Sequence, residues 1–273
     1  MITRLTKYFV LLGMLSLVAC HSGEPLQKVL IIQDETLQME VLSSFLQEHG
    51  PFDVTVVDQN ALPEDFSIYE AVILYIHGGM DEPVELRAIQ YTKDGGRLVL
   101  LHHSISSGKA RNKYYFDFLG MRLDDPGHSS GPVEPGGGYG WRDEGTGGAG
   151  VTLTVVNLNP GHYITSHLVN WPDTIRYTPS DFPSAGGDYP AIHLPHSEVY
   201  LNHKFTDGRE KTVLMGLKYY DDRVDHTFMQ DRAGWIKPQG QGMVVYLMPG
   251  HSASDYQNPN IAQIVLNAIN WKH

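Results

Sequence analysis

Two segments place histidine directly behind an apolar run. In Gly95 to Gly108, GGRLVLLHHSISSG, the run from Arg97 to Leu101 leads into His102, His103 and a turn of small polar residues. In Leu247 to Tyr256, LMPGHSASDY, an apolar stretch ends in Gly250 and His251. An imidazole changes charge near neutral pH, so at such a position it can take or give a proton to a bound molecule. His128, His162 (in NPGHYITSHL) and Glu198 (in HSEVY) add two more imidazoles and a carboxylate. His102, His251, Glu198 and His128 are therefore the candidates for acid/base catalysis, with His77, His103 and His162 as candidates for binding. Hydrogen bonding of His102 and His103 to loop backbone explains the same spacing equally well.

Other chemistries find less support. Imidazole and carboxylate suit zinc, manganese or nickel, so a divalent metal stays open, although no HExxH or similarly tight spacing is present. No GxSxG surrounds Ser104, and the single cysteine, Cys20, lies far outside these segments, which argues against covalent acyl chemistry. GxGxxG is missing where the first strand meets its helix, so no nicotinamide or flavin is expected, nor any other organic cofactor. Trp141 and Trp235 belong to a set of aromatics outside the clear strands and are candidates to stack on a sugar ring; packing in the core is the competing explanation.

These residues need elements to position them. KVLIIQ (Lys28 to Gln33), DVTVV (Asp53 to Val57), AVILYI (Ala71 to Ile76) and RLVLL (Arg97 to Leu101) are short apolar, β-branched runs of the kind that form buried parallel strands. Leu37, Val41, Leu42 and Phe45 fall at near-helical spacing before Gly50-Pro51, and Pro83 to Tyr91 reads as a second helix stopped by Asp94-Gly95-Gly96. Alternating strands and helices predict a parallel sheet covered on both faces, with the site at the strand C-termini, where His77 and His102 stand. From Asp124 to Gly150 the pattern gives way to Gly, Pro and charge, read as a long excursion. Strands follow at Val151 to Val156, Val213 to Leu217 and Met243 to Leu247. The chain closes on a helix started by Asn258-Pro259, with Ile261, Ile264, Val265, Ala268 and Ile269 as its apolar stripe.

The N-terminus has a different character. Arg4 and Lys7 precede an apolar run from Tyr8 to Ala19 that ends in LVAC, which reads as a signal peptide over residues 1–20 with a lipobox at Cys20. The run is short for a membrane span, which needs about 20 residues. A lipidated Cys20, followed by a leash from His21 to Gln27, would tether the domain at residues 28–273 to a membrane. With one cysteine, that domain has no internal disulfide. The formal charge is −11 for the 273 residues and becomes more negative when Arg4 and Lys7 leave. No basic run offsets it, so nucleic acid is not an expected partner; an uncharged or cationic small molecule is.

Five segments in register, GGRLVLLHHS, YFDFLGMRLDDPGHSS, GHYITSHL, SEVY and YLMPGHSASDY, together with a final helix ending in INW, resemble the ThuA-like (trehalose utilisation) family from Lys28 to Trp271. Tyr163 stands where that family often has proline, and Ser197 where an acidic residue is common. The resemblance implies an α/β, flavodoxin-like three-layer fold with a mainly parallel central sheet, as in class I glutamine amidotransferases. The superfamily's nucleophilic cysteine would fall near His102 or His103 and is absent. Taken with the lipobox, the resemblance implies an exported, envelope-anchored lipoprotein that acts on a saccharide or keto-sugar, with His102, His251 and Glu198 as its site candidates. A non-catalytic sugar-binding lipoprotein is the alternative, and convergence of the histidines in one place distinguishes the two.

Overall fold

The computed structural model describes residues 25–123, 138–140, 150–208, 211–222 and 225–272. In chain order its elements are β1 (Gln27–Gln33), α1 (Thr36–His49), β2 (Phe52–Asp58), β3 (Ala71–Tyr75), α2 (Glu82–Lys93), β4 (Arg97–Leu101), α3 (Tyr115–Leu119), β5 (Met121–Arg122), β6 (Gly138–Gly140), β7 (Val151–Asn157), α4 (Tyr163–Ser166), β8 (Asp173–Tyr177), β9 (Gly187–Ser197), β10 (Val199–Leu201), β11 (Lys204–Phe205), β12 (Thr212–Asp221), β13 (His226–Gln239), β14 (Gly242–Leu247), α5 (Ala253–Gln257) and α6 (Pro259–Asn270). Ten strands form one sheet in the order β2-β1-β3-β4-β14-β13-β12-β7-β9-β8. Among the described helices, none is long and apolar enough to cross a membrane.

The sheet has two halves. From β2 to β14 every neighbour is parallel, and the apolar runs expected from the sequence supply β1, β2, β3 and β4. All five residues of β3 are buried, as central parallel strands covered on both faces require. Beyond β14 the pairings are antiparallel, through two hairpins and the returns to β7, β9 and β8. Three of these strands, β8, β9 and β13, have no counterpart in the apolar pattern of the sequence. Their residues alternate or carry charge: β9 holds Pro190 and Pro195, and β13 holds Asp231, Arg232 and Lys237.

The connection from β1 to β2 runs one way across the sheet and that from β3 to β4 runs the other. Right-handed crossovers therefore put α1 and α2 on opposite faces, giving the three layers of a flavodoxin-like fold. The change of direction leaves a crevice between β1 and β3 at their C-terminal ends. In α1 the inward stripe is Met39, Leu42 and Leu46, with Val41 and Phe45 partly covered. This corrects the expected stripe at its first position, since Leu37 faces solvent and the 3.6-residue period runs from Met39. In α6 the expected stripe is buried, and the Asn258 side chain accepts the Asn260 N–H in front of Pro259. Fully burying each large aliphatic side chain contributes about 1.5–3 kcal/mol, so the parallel half and α6 form a stiff base for the loops above them.

Candidate functional site

Four parallel strands deliver polar side chains to one edge. β1 ends at Gln33, followed by Asp34 and Glu35; β3 ends at Tyr75, followed by Ile76 and His77; β4 ends at Leu101, followed by His102 and His103; β14 ends at Leu247, and its loop carries His251. Each strand is fixed by ladder bonds, so the first residues beyond it have little freedom. His102 sits at φ +38°, a backbone region that a non-glycine residue enters only when its surroundings hold it there. Glu198 arrives from the antiparallel half, as the single residue between β9 and β10.

These segments meet in a compact group. His102 Nε2 lies 2.9 Å from Glu198 Oε2, His251 Nδ1 lies 3.4 Å from it and His103 Nε2 lies 3.6 Å from it. His102 Nε2 and His251 Nδ1 are 3.3 Å apart. His102 and His103 are buried, Glu198 nearly so, and His251 is the most accessible, its side chain 17% exposed. The other ring nitrogen of His102 lies 2.5 Å from the Met248 carbonyl oxygen. A carbonyl only accepts, so Nδ1 carries the hydrogen and Nε2 is the atom turned to Glu198.

Burial and neighbours set opposing charge preferences here. Burial disfavours the Glu198 carboxylate, but contacts from His102, His103 and His251 outweigh this and hold its pKa well below the usual carboxylate range. Burial, helped by the nearby His103 charge, pulls His102 down to about 4 against the pull of Glu198. Burial also opposes a charge on His103, yet Glu198 and Glu35 on either side raise it above the ordinary imidazole value. His103 is thus the imidazole whose protonated form the site supports.

A surrounding set of contacts holds this group in place. Glu35 Oε2 is 3.0 Å from His103 Nδ1, and Glu35 Oε1 is 3.3 Å from His77 Nδ1. Although half-burial opposes it, these two histidines keep the Glu35 pKa well below its ordinary value. The His77 ring stacks on His103 at 4.5 Å. Asp34 accepts the backbone N–H groups of His77 and Gly78 at 2.6 and 2.8 Å. Lys109 is buried, and its Nζ reaches the carbonyls of Ile76, His77, Gly78 and His103 and the Ser106 hydroxyl, tying the β3 and β4 ends together. Asp255 Oδ2 accepts from the Ser197 hydroxyl at 2.8 Å, the His251 N–H at 3.0 Å and the Gly250 N–H at 3.1 Å, so one carboxylate fixes both the Glu198 and the His251 segments. Tyr75 donates to the Gly250 carbonyl at 2.8 Å. Gly250 itself has φ +124°, and a Cβ there would run into the Tyr256 hydroxyl, so the turn presenting His251 needs glycine.

Residues 28–272 match the sequence model of the ThuA family, described as trehalose utilisation. The chain belongs to the ThuA family. Among solved structures, this ThuA chain is similar to a ThuA-like protein from Bacteroides uniformis, with a TM-score of 0.56, 16% identity and coverage of 94% of this chain and 95% of that one. It is also similar to part of a cold-adapted β-galactosidase from Rahnella sp. R3, with a TM-score of 0.49, 13% identity and coverage of 88% of this chain and 30% of that one. A β-galactosidase from Bacillus circulans gives a TM-score of 0.46, 12% identity and coverage of 87% and 30%. The ThuA chain thus spans about 30% of either β-galactosidase. No curated protein matches it.

Of the residues singled out in the sequence of this ThuA chain, the structure brings together His102, His103, Glu198 and His251, with His77 stacked at the edge of the group. His162 is elsewhere. Its Nδ1 accepts the Ile164 N–H at the start of α4, and its ring lies 4.8 Å from Trp271, which accounts for it without a ligand. Trp235 is fully buried in β13, its ring 5.5 Å from Tyr246 and 5.8 Å from Phe205, and has no face open to a sugar. His128, Trp141 and Cys20 lie outside the described residues. Glu35, Lys109 and Asp255 were not singled out. Glu35 follows the end of β1 by two positions, so the strand-end rule that found His77 and His102 also reaches it.

Proposed function

We propose that this ThuA-family chain is an enzyme that transfers protons on a saccharide or keto-sugar. The observation that carries this reading is the convergence of three imidazoles and one carboxylate at the C-terminal edge of the parallel strands. Exposure supports a division of roles. His251 is the group a ligand reaches first, with Glu198 behind it, so these two are the acid/base pair. His102, wholly buried between Glu198 and the Met248 carbonyl, orients the carboxylate; it is a positioning residue. Glu198 can take the proton beside a sugar carbonyl, or His251 can give one to a departing oxygen, and both steps need the pair within reach of one bound ring.

The family description, trehalose utilisation, supports a disaccharide or its oxidised keto form as the substrate class. Simple capture of a sugar is the weaker reading, because Trp235, which would have stacked on the ring, belongs to the core. We further propose that Cys20 is lipidated and holds the domain at the cell envelope, which the LVAC string after the apolar run supports. Labelled palmitate should enter the wild-type chain and not Cys20→Ser; equal labelling would contradict the anchor.

The activity is tested by incubating the protein with trehalose, other disaccharides and their 3-keto derivatives and following products by mass spectrometry. Conversion that disappears in Glu198→Gln and His251→Ala is the expected result. Binding without conversion of any of these sugars, or conversion unchanged in both variants, would overturn the proposal.

A further inference from the structure

The same four side chains are arranged as ligands, and we propose that His102 Nε2, His103 Nε2, His251 Nδ1 and Glu198 Oε2 hold one divalent first-row transition-metal ion. The inference deepens the proposed activity and rests on that reading only for the ion's task; the site itself stands on geometry.

Three observations carry it. The first is spacing. Each of the four residues offers one ligand atom, and these atoms all lie within 4.8 Å of one another, with separations of 2.9, 3.3, 3.4 and 3.6 Å among the closest pairs. Ligands at about 2.0–2.1 Å around a tetrahedral ion stand about 3.3 Å apart, so four of the six separations already match a cage of that size. The second is direction. Imidazoles that bind a metal through one nitrogen usually offer the other to a carbonyl or carboxylate. His102 presents Nδ1 to the Met248 carbonyl at 2.5 Å, and His103 presents Nδ1 to Glu35 at 3.0 Å, so both turn Nε2 inward.

The third observation is the electrostatic conflict that a cation resolves. With its hydrogen committed to Met248, a neutral His102 points the lone pair of Nε2 at the Glu198 carboxylate 2.9 Å away, in a buried place. A proton or a cation between these atoms removes the conflict, and an ion shared by four donors satisfies every inward lone pair at once. The donor set, three imidazoles and a carboxylate, selects zinc, nickel, manganese or iron over calcium and magnesium, which prefer all-oxygen surroundings. An ion there that expands to a fifth ligand would polarise a sugar carbonyl or sharpen the acidity of a bound water, work that fits the proposed chemistry.

The test uses the full chain purified in detergent and needs no substrate. The metal content of the protein as isolated is measured by inductively coupled plasma mass spectrometry; the ion is then removed with a chelator and Co2+ is added back. The expected result is one ion per chain as isolated, or one Co2+ taken up with the visible absorption of nitrogen-rich coordination, displaced by Zn2+ and not by Mg2+. His251→Ala and Glu198→Gln should each weaken Co2+ uptake strongly, and Glu35→Gln, which alters the shared partner of His103 and His77, by about 10–100-fold. Circular dichroism shows whether each variant is folded; should any fail, the wild-type uptake and spectrum decide alone. No ion as isolated and no Co2+ uptake would overturn the site, as would uptake unchanged in folded His251→Ala and Glu198→Gln. A chain that turns over sugar and takes up no ion refutes the metal and keeps the acid/base reading, whereas a bound ion with no sugar conversion does the reverse.

Discussion

Among the described residues, two places bury histidine, and they differ in what surrounds it. At the C-terminal edge of the parallel strands, His102, His103 and His251 share one carboxylate, and the outward nitrogens of His102 and His103 face a carbonyl and a second carboxylate. In the antiparallel half, His203 is equally buried but sits among aromatic rings, 5.6 Å from Phe205, 5.8 Å from Tyr246 and 6.2 Å from Trp235. Neither of its nitrogens has a hydrogen-bond partner among the described residues. Burial, together with the charges of Arg232 and Lys211, drives its pKa well below the ordinary value. Burial beside like charges, with no carboxylate in reach among the described residues, therefore keeps an imidazole neutral. Convergence with a carboxylate at a strand end gives the same side chain a partner for proton transfer.

The contrast can be broken most decisively through Glu198. Glu198→Gln removes the charge that gathers the histidines, and we expect kcat on a converted sugar to fall by about 10²–10⁴-fold. His203→Leu should leave kcat within about threefold, since it removes a buried imidazole with no acid/base partner. Equal losses in the two variants, measured as initial rates, would erase the distinction.

The next largest effect is on stability. Trp235→Ala should cost about 3–5 kcal/mol in urea unfolding, the range for emptying a fully buried aromatic position, with no change in KM for sugar. A raised KM without loss of stability would return Trp235 to the binding role considered from the sequence.

Asp255→Asn sharpens the comparison from the other side. It keeps the shape but weakens the acceptor shared by Ser197, Gly250 and His251, so Glu198 and His251 should lose register. The expected result is a fall in kcat of about 10–100-fold, for a displacement on the order of 1 Å, with KM little altered. A change confined to thermal stability would show Asp255 to be merely structural.

The smallest expected effect concerns pH. Burial first, then the His103 charge, lowers His102 from 6.5 to about 4, so the unfolded chain takes up that proton before the folded one. Stability of the metal-stripped protein should then fall as pH drops from about 6.5 to 4, by on the order of 1 kcal/mol. His203, also lowered, acts with the same sign. Glu198 and Glu35, both depressed, contribute stability that is full above 4.5 and lost as pH falls further. His103, raised, contributes stability that is full below 6.5 and lost as pH rises through its folded value. Urea midpoints between pH 4 and 8 would test this, with a shallower acid decline expected in His203→Leu. A midpoint that rises as pH falls from about 6.5 to 4 would contradict it.

The parallel half was legible because its strands are short apolar runs bounded by turns, and a strand covered on both faces can hardly be written otherwise. His77, His102, His103 and His251 were legible as residues placed just past such runs. The antiparallel strands were harder. In β13, Asp231 is satisfied by the Tyr177 hydroxyl and the Asp181 N–H, and Lys237 by Asp207 and the Phe118 carbonyl, partners that lie far away in the chain. Asp255 and Lys109 were hidden for the same reason. Lys109 serves carbonyls at the end of β3 and Asp255 accepts from the distant Ser197 hydroxyl, and nothing local in the sequence distinguishes such a residue from one facing solvent.

The most direct test of the central claim, that Glu198 and His251 move protons on a sugar, is isotope exchange. A 3-keto disaccharide would be incubated with the protein in D2O, and deuterium appearing beside the carbonyl would be followed by mass spectrometry. The account predicts exchange well above the enzyme-free rate in the wild-type chain and its loss in Glu198→Gln. Exchange at the same rate in both proteins would contradict it.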